Sequence, residues 1–144
     1  MSTMPDVDPS PPSPTVEAIQ RARTQLLGQV RETPAWSWSG HRLTELGPAD
    51  ATVWLKLELF QHTGSFKVRG ALLAVQALAP AQRERGVTAM SGGNHAMAVA
   101  YAAKAVGTHA KVVMPATADP ARIAACRALG GEVELAPDIA TAFA

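Results

Sequence analysis

The stretch TGSFKVRGA, residues 63–71, lies where a predicted strand meets a predicted helix. Before it, apolar residues alternate with more polar ones, and this period of two predicts a strand over 53–59. After it, apolar residues recur at helical spacing and predict a helix over 66–78. Lys67 and Arg69 fall in the first turn of that helix, where its partial positive charge disfavours cations. The position of Lys67 therefore needs a reason other than helix stability.

One such reason is chemical. The helix dipole and the neighbouring Arg69 are expected to oppose protonation of Lys67, and a neutral amine is a nucleophile toward carbonyl groups. A solvated surface lysine is the simpler interpretation of this residue taken alone. A second loop, SGGNHA over residues 91–96, follows the next predicted strand. Its glycines and the helix that follows can hold an anion at the carboxyl end of a strand, where α/β proteins bind ligands.

Beyond Ala51 the chain alternates strands with helices of about ten residues, a pattern typical of parallel α/β proteins with right-handed crossovers. The predicted strands are 53–59, 87–90, 111–114 and 132–135, and the predicted helices are 66–78, 95–106 and 119–129. Gly107 and Gly130 fall just past helix ends, where a left-handed residue is favoured. Asp119 and Pro120 predict an N-cap and a first helical residue. Alternation alone would suggest one continuous sheet.

The first part of the chain carries weaker signals. Residues 1–14 are rich in proline and serine and predict a disordered tail. Ser13 and Pro14 predict a helix start, and apolar residues at helical spacing then predict one amphipathic helix that ends before Thr33. The segment PAWSWSGHRLTELG predicts an irregular connection with a short helical piece around Leu43.

Composition restricts the class of protein. The chain has 144 residues, 47% of them apolar and 17% charged, with a net charge of +1. This indicates a globular domain and argues against a nucleic-acid partner or an anionic membrane surface. No apolar run is long enough to span a membrane, and the N-terminus has neither the basic region nor the apolar core of a secretory signal. The single Cys126 forms no internal disulfide, which favours the cytoplasm.

The motif FQHTGSFKVRGA, residues 60–71, together with SGGNHA resembles the fold-type II pyridoxal-phosphate enzymes, in particular the serine/threonine dehydratases and serine racemases. RETPAW and VVMPATADPARIAACRALGGEVEL add to the likeness, which spans about residues 15–144. The resemblance implies an α/β fold with a parallel three-layer sheet of the tryptophan-synthase-beta-like architecture. It also implies that the fold is incomplete here and that its second half is missing.

The resemblance implies pyridoxal 5'-phosphate as cofactor. It makes Lys67 the catalytic lysine, which forms a Schiff base with the cofactor aldehyde. Phe66 packs against one face of the pyridine ring, although a core side chain is the plainer interpretation of a phenylalanine. Asn94 donates a hydrogen bond to the ring 3-hydroxyl, although its position suits an ordinary N-cap equally well.

The resemblance also implies a loop for the substrate carboxylate. That loop comprises Ser91, Gly92, Gly93, Asn94 and His95. A role of His95 in proton transfer is a guess, and packing of its side chain on the helix face is the plainer interpretation. Racemases often carry serine, an acid/base for the opposite face, where this chain has Gly92, so the sequence favours elimination over racemisation. FKVRG differs from the Lys-Asp-Arg pattern of threonine and cysteine synthases, which again favours a dehydratase.

The resemblance divides the chain into two domains. Residues 15–80 form the N-terminal part of the large domain with the Schiff-base lysine, and residues 86–144 form most of the small α/β domain. PAQRERG, residues 80–86, is the expected hinge. The phosphate loop, the partner of the pyridine nitrogen and the usual metal ligands are expected in the missing half, so no metal ligand is predicted here. Cys126 is predicted to be a buried helix residue.

The function predicted is a dehydratase or ammonia-lyase. It converts L-threonine or L-serine to a 2-oxo acid and ammonia by α,β-elimination, with Lys67 as both anchor and base. The predicted partner is a small amino-acid substrate, with a homodimer or a missing C-terminal half as further possibilities. The alternative is a truncated, non-catalytic chain or a half-enzyme that needs a separate C-terminal partner. A phosphate- or nucleotide-binding module with a structural lysine is a third hypothesis.

Overall fold

The computed structural model describes residues 13–40, 48, 51–138 and 140–141. The helices in these ranges are α1 (Val16–Gln25), α2 (Lys67–Gln76), α3 (Pro80–Glu84), α4 (Asn94–Val106) and α5 (Pro120–Ala128). The strands are β1 (Ala35–Trp38), β2 (Val53–Lys56), β3 (Val87–Met90), β4 (Ala110–Pro115) and β5 (Gly131–Ala136). Two short 3-10 helices, Glu58–Phe60 and His62–Gly64, connect β2 to the loop before α2.

The strands form two separate sheets. β1 and β2 pair antiparallel, with Ala35 opposite Lys56 and Trp38 opposite Val53. β3, β4 and β5 form a parallel sheet in chain order, and β4 lies at its centre. The expected α/β class with a parallel sheet is confirmed. Alternation alone would have merged the two sheets into one, which is wrong because β2 pairs with β1 instead of β3.

The central strand and the helix before it form the core. Alternate residues of β4 are buried, including Val112 and Met114, because successive side chains of a strand point to opposite faces and one face packs on the helices. The buried residues of α4 are Ala96, Ala98, Val99, Ala100, Ala102 and Ala103. These small side chains let the sheet and α2 approach α4 closely, and α2 contributes its own buried side chains Val68, Leu72 and Val75. The helix that begins at Lys67 is therefore anchored on the helix that follows the SGGN loop.

Most local predictions from residue 66 onward are confirmed. The helices and strands lie within one or two residues of their predicted bounds. Gly107 and Gly130 have φ values of +78° and +93°, the left-handed conformation predicted at both helix ends. The Asp119 carboxylate accepts a hydrogen bond from the N–H of Ala121 at 2.8 Å, so it caps α5 as predicted.

The strand predicted over 53–59 is wrong beyond Lys56. The chain turns there into the two 3-10 helices, because the side chains of Glu58 and Gln61 bond to Arg69 and to the backbone of Arg31 instead of continuing a sheet. The sequence also missed β1, whose four residues are all exposed and carry no alternating burial. A short exposed strand leaves little periodic signal.

The first helix is shorter than predicted. It ends at Gln25, its N-cap is Thr15 instead of Ser13, and the Thr15 hydroxyl accepts from the N–H of Ala18 at 3.2 Å. The chain after it turns at Gly28, whose φ of +74° breaks the helix. The predicted disordered tail, apart from residues 13–14, and the helical piece around Leu43 lie outside the described residues.

Candidate active site

The loop before Lys67 is fixed by its backbone and by one buried glutamine. Thr63 and Gly64 both have positive φ values, +62° and +70°, and together they reverse the chain ahead of α2. A left-handed threonine costs about 1 kcal/mol or more, so its surroundings must hold it. The buried amide of Gln61 does so by accepting from the N–H groups of Arg31 and His62 at 2.9 and 3.0 Å. Its Nε2 also donates to the carbonyl of Arg31 at 2.9 Å.

An ion pair holds the first turn of α2. Arg69 donates from Nη2 and Nε to the two carboxylate oxygens of Glu58, at 2.7 and 2.9 Å. The hydrogen bonds from Arg69 lower the pKa of Glu58 to about 2, against the opposing effect of burial, and the Thr33 hydroxyl also donates to this carboxylate. The same pair raises the pKa of Arg69. Arg69, the cation next to Lys67 in this turn, therefore has its charge paired with the Glu58 carboxylate.

Lys67 and Phe66 present their side chains to solvent. Lys67 is the first residue of α2, and its Nζ lies 5.2 Å from the centroid of the Phe66 ring. The Phe66 side chain is 61% exposed, so the interpretation of Phe66 as a core side chain is wrong. Lys67 forms no ion pair with any residue in the described ranges. The Lys67 amine and the Phe66 ring thus lie next to each other, and both are accessible to a ligand.

Two hydroxyl groups beside Lys67 were missed by the sequence analysis. The Oγ1 of Thr63 and the Oγ of Ser65 are buried and have no hydrogen-bond partner in the part of the chain that the structure describes. A buried hydroxyl without a partner costs about 1–3 kcal/mol. Such unpartnered hydroxyl groups are unusual in folded proteins, and both lie within four residues of Lys67. This loop is therefore less stable than it would be if both hydroxyls were hydrogen-bonded. The only sequence signal was their position in the motif TGSFK.

The second loop leaves backbone donors free at the start of α4. Ser91 extends the sheet by donating from its N–H to Val113 at 3.1 Å, and its hydroxyl accepts from the N–H of Gly93 at 3.2 Å. The N-cap of α4 is Gly93, so the interpretation of Asn94 as the cap is wrong. The N–H groups of Asn94 and His95 bond to no other described residue, as expected at a helix start. They are suited to an anion.

Two side chains of this loop are also exposed to solvent. Asn94 and His95 are both exposed, so packing of His95 on a helix face is wrong. Gly92 lies against β4, since a Cβ atom built there would be 3.2 Å from Cγ of Pro115. Gly93 lies against α5, since its Cβ would be 2.8 Å from Nη1 of Arg122. The sequence analysis did not single out Arg122, because its neighbour Gly93 is remote in the chain.

A ring stack joins the loop before Lys67 to α4. The imidazole of His62 lies parallel to the ring of Tyr101, with centroids 5.1 Å apart and planes at 18°. Tyr101 is in α4, seven residues beyond Asn94, or about 10 Å along the helix axis. Burial, with a smaller contribution from Arg31, lowers the pKa of His62, which favours its neutral form. The loop before Lys67 is thereby held against the middle of α4.

Cys126 is fully buried in α5, as predicted, and burial raises the pKa of its thiol. Within the described ranges, no group of three or more His, Cys, Asp or Glu side chains could hold a metal ion. No helix among the described residues is long and apolar enough to cross a membrane.

Comparison with known proteins identifies the class. The family model described as "Pyridoxal-phosphate dependent enzyme" matches residues 26–144. The chain therefore belongs to this family, and the expected resemblance is confirmed.

The chain is also similar to particular members of this family. The chain is 48% identical over 131 residues to the phenylserine dehydratase of Ralstonia pickettii, covering 90% of this chain and 39% of that protein. It is 49% identical over 120 residues to the serine racemase of Schizosaccharomyces pombe, covering 83% of this chain and 36% of that protein. The structure of maize serine racemase superimposes with a TM-score of 0.76 and 31% identity, over 89% of this chain and 38% of that one. The chain thus spans about two fifths of the length of these relatives, and its fold is the fold-type II architecture that was expected.

Pyridoxal phosphate is the cofactor of this family. The side chains described above have the chemistry that the cofactor requires. A primary amine at Lys67 can bond to its aldehyde, and the exposed ring of Phe66 can cover a flat heterocycle. The exposed amide of Asn94 can donate a hydrogen bond to a ring oxygen.

Proposed function

We propose that the chain is the N-terminal part of a pyridoxal-phosphate-dependent dehydratase, or ammonia-lyase. It acts on L-threonine or L-serine and gives a 2-oxo acid and ammonia by α,β-elimination. The observation that carries this proposal is the exposed amine of Lys67 at the start of α2, beside an exposed aromatic ring. The similarity to a phenylserine dehydratase supports a substrate with a hydroxyl group on the β-carbon.

Lys67 has two tasks in this proposal. Its amine would hold the cofactor through the cofactor's aldehyde, and the same amine would take the proton from the α-carbon of the substrate. The cofactor, when bound, withdraws electrons from the α-carbon and so makes that proton more acidic. Phe66 covers one face of the cofactor ring, and Asn94 orients the ring through its 3-hydroxyl. The ion pair of Arg69 with Glu58 keeps the turn that carries Lys67 in place.

The loop from Ser91 to His95 holds the substrate carboxylate. Support comes from the free N–H groups of Asn94 and His95 at the start of α4, where the helix dipole favours a negative charge. Gly92 supports elimination over racemisation, because racemisation needs a second proton carrier on the face opposite Lys67 and glycine has none. The contact of Gly92 with Pro115 also leaves little room for a larger residue there.

A second candidate function is a half-enzyme that needs a separate C-terminal partner, or a chain without activity of its own. The observation that favours it is an exposed apolar surface on the small sheet. From the pairing register, Trp36, Trp38, Val53 and Leu55 share one face of β1 and β2, and we call this the tryptophan face. Trp36 is 62% exposed and Trp38 is 45% exposed. Such an exposed apolar surface suits contact with a second polypeptide or a second copy of the chain.

For either candidate function we propose the cytoplasm as the cellular location.

Reductive labelling tests the first proposal. Pyridoxal phosphate is added to the 144-residue chain, borohydride fixes any Schiff base, and peptide mass spectrometry locates it. We expect labelling concentrated on Lys67 ahead of Lys56, Lys104 and Lys111, and its loss in Lys67→Arg, with Lys104→Arg as the matched control. Serine and threonine deamination are then measured on the same chain. Labelling spread evenly over the lysines would contradict the assignment of Lys67, and labelling at Lys67 without deamination would favour the second candidate.

A further inference from the structure

A cavity lies between α1 and α2, on a part of the molecule that the candidate active site does not use. Its volume is about 770 Å³, and it is lined by α1, by the segment that follows α1, by the end of β2 and by α2. Among the described residues that line it, there is neither Lys67 nor Phe66 nor any residue of the SGGN loop. Pockets for small molecules commonly have volumes of roughly 300–1,000 Å³. The cavity is therefore large enough for a ligand of its own.

Most of the wall of this cavity is apolar. Its apolar lining residues are Ile19, Ala22, Leu26, Leu27, Val30 and Leu73. Leu26 is buried, but Ile19 is 56% exposed and Leu27 is 61% exposed, so the chain covers only part of this wall. A ligand that covers the rest removes apolar surface from water, and this favours a ligand with an apolar body.

Two positive charges at the cavity have no carboxylate partner in the part of the chain that the structure describes. Four cations line the cavity, and two of them, Arg23 and Arg69, are paired with carboxylates. Glu32, the one carboxylate among the described lining residues, is the partner of Arg23. The other two cations, Arg31 and Lys56, take part in no ion pair. The cavity thus carries an excess of positive charge.

Backbone carbonyl groups hold the two unpaired cations in place. Arg31 donates from Nη1 to the carbonyl of Phe60 at 3.1 Å, and Lys56 donates from Nζ to the carbonyl of Thr33. A carbonyl orients a cation without neutralising it, and both side chains keep further N–H donors. Both residues are also exposed, so they lie on the open side of the cavity. An anion can therefore bind fixed donors beside an apolar wall.

We propose that this cavity binds a small carboxylic acid with an apolar chain, of the class of medium-chain fatty acids. The chain of the ligand lies against the apolar wall, and its carboxylate accepts hydrogen bonds from Arg31 and Lys56. A neutral alcohol would leave the two cations unpaired, and a small polar anion would leave the apolar wall uncovered. Only a ligand with both features satisfies the whole cavity.

A series of ligands tests the proposal on the 144-residue chain. The ¹H–¹⁵N spectrum is recorded at pH 7 during separate titrations with octanoate, octanol, octylammonium and acetate. We expect octanoate to shift the amide signals of residues 22–31 and to bind at least about tenfold more tightly than octanol or octylammonium, because of its charge-assisted hydrogen bonds. Acetate has six fewer CH₂ groups, each worth roughly fourfold in affinity when buried, and should not bind measurably. Equal binding of octanoate and octylammonium would overturn the proposal, as would octanoate without shifts at residues 22–31.

A double variant tests the two cations. Arg31→Gln combined with Lys56→Gln should weaken octanoate binding at least about tenfold and leave octanol binding unchanged, a difference that a general loss of structure would not produce. The matched control is Arg21→Gln combined with Lys104→Gln, which removes two exposed cations that do not line the cavity. Equal octanoate binding by the double variant and the original chain would contradict the role of Arg31 and Lys56.

A variant of the wall tests the cavity itself. Ala22→Leu fills space from α1 with a residue that a helix tolerates well, and it should weaken binding of both octanoate and octanol. Ala18→Leu, on the same helix but outside the cavity, is the control. Octanoate binding that weakens as the protein concentration rises would show that a second copy of the chain fills the cavity, and would overturn the proposal. These measurements involve neither the cofactor nor Lys67, so their outcome is separate from that of the proposed function.

Discussion

At the scale of single residues, Lys67 and Arg122 are cations at helix N-termini, where the helix dipole disfavours them. Lys67 opens α2 and Arg122 lies in the first turn of α5. Ordinary helix energetics would place acidic residues at both positions. The sequence identified Lys67 because its neighbours form a motif, and it missed Arg122 because the partner of that side chain is a glycine on another element. Helix stability therefore does not account for either position.

Gly92 gives a prediction at this scale. Gly92→Ser introduces a Cβ atom 3.2 Å from Cγ and 3.3 Å from Cδ of Pro115, closer than packing prefers, and 3.6 Å from Cβ of Ala118, an ordinary contact. We expect the free energy of unfolding to fall by about 1 kcal/mol, as is usual for a tight insertion into a packed site. Urea unfolding checks the value. In a Pro115→Ala background the same substitution should cost less, and an equal cost in both backgrounds would rule out this contact as the cause.

At the scale of elements, the ion pair between Glu58 and Arg69 joins the segment after β2 to the first turn of α2. The chain was expected to remain extended through residue 59, and it turns instead because Glu58 and Gln61 find partners elsewhere. These partners lie in the segment around Arg31 and in α2. Pairing between segments that are distant in the sequence leaves no local pattern, so this part of the fold could not be predicted from periodicity.

The ion pair predicts a dependence of stability on pH. The pKa of Glu58 is about 2 in the folded chain, below its ordinary value of 4.5, so its contribution to stability is complete above pH 4.5 and is lost as the pH falls toward 2. We expect Glu58→Gln to remove roughly 1–2 kcal/mol of the stability difference between pH 6 and pH 3. Urea unfolding at the two pH values measures it.

The matched control for this experiment is Glu84→Gln, an exposed residue outside the ion pairs of the described chain. It should leave the pH dependence of the original protein unchanged. If Glu58→Gln and Glu84→Gln behave alike, the ion pair does not account for the acid sensitivity of the fold.

At the scale of the whole molecule, the tryptophan face is an apolar surface exposed to solvent. Three of its residues, Trp36, Trp38 and Leu55, are each at least 40% exposed. The core lies instead between α2, α4 and the parallel sheet. An apolar face of this kind favours association in water, because burial of apolar surface is the main driving force of protein contacts.

We therefore expect the 144-residue chain to associate as its concentration rises. Replacing Trp36 and Trp38 together by serine should shift the association to higher concentration without unfolding the chain, as measured by sedimentation and circular dichroism. Trp54 lies on the opposite face of the same sheet, and Trp54→Ser is the control for the loss of a tryptophan as such. A chain that stays monomeric at all concentrations would contradict this prediction.

The sequence by itself determined the family, the helices and strands from residue 66 onward, and the two loops with Lys67 and Asn94. These predictions follow from hydrophobic periodicity, helix caps and short motifs, all of which depend only on residues that are close together in the sequence. Only the tertiary structure decided the pairing of β1 with β2, the partner of Arg69, the exposure of Phe66 and the contact of Arg122 with Gly93. The physical reason is that each of these is a contact, or the lack of one, between segments that the chain brings together only when it folds.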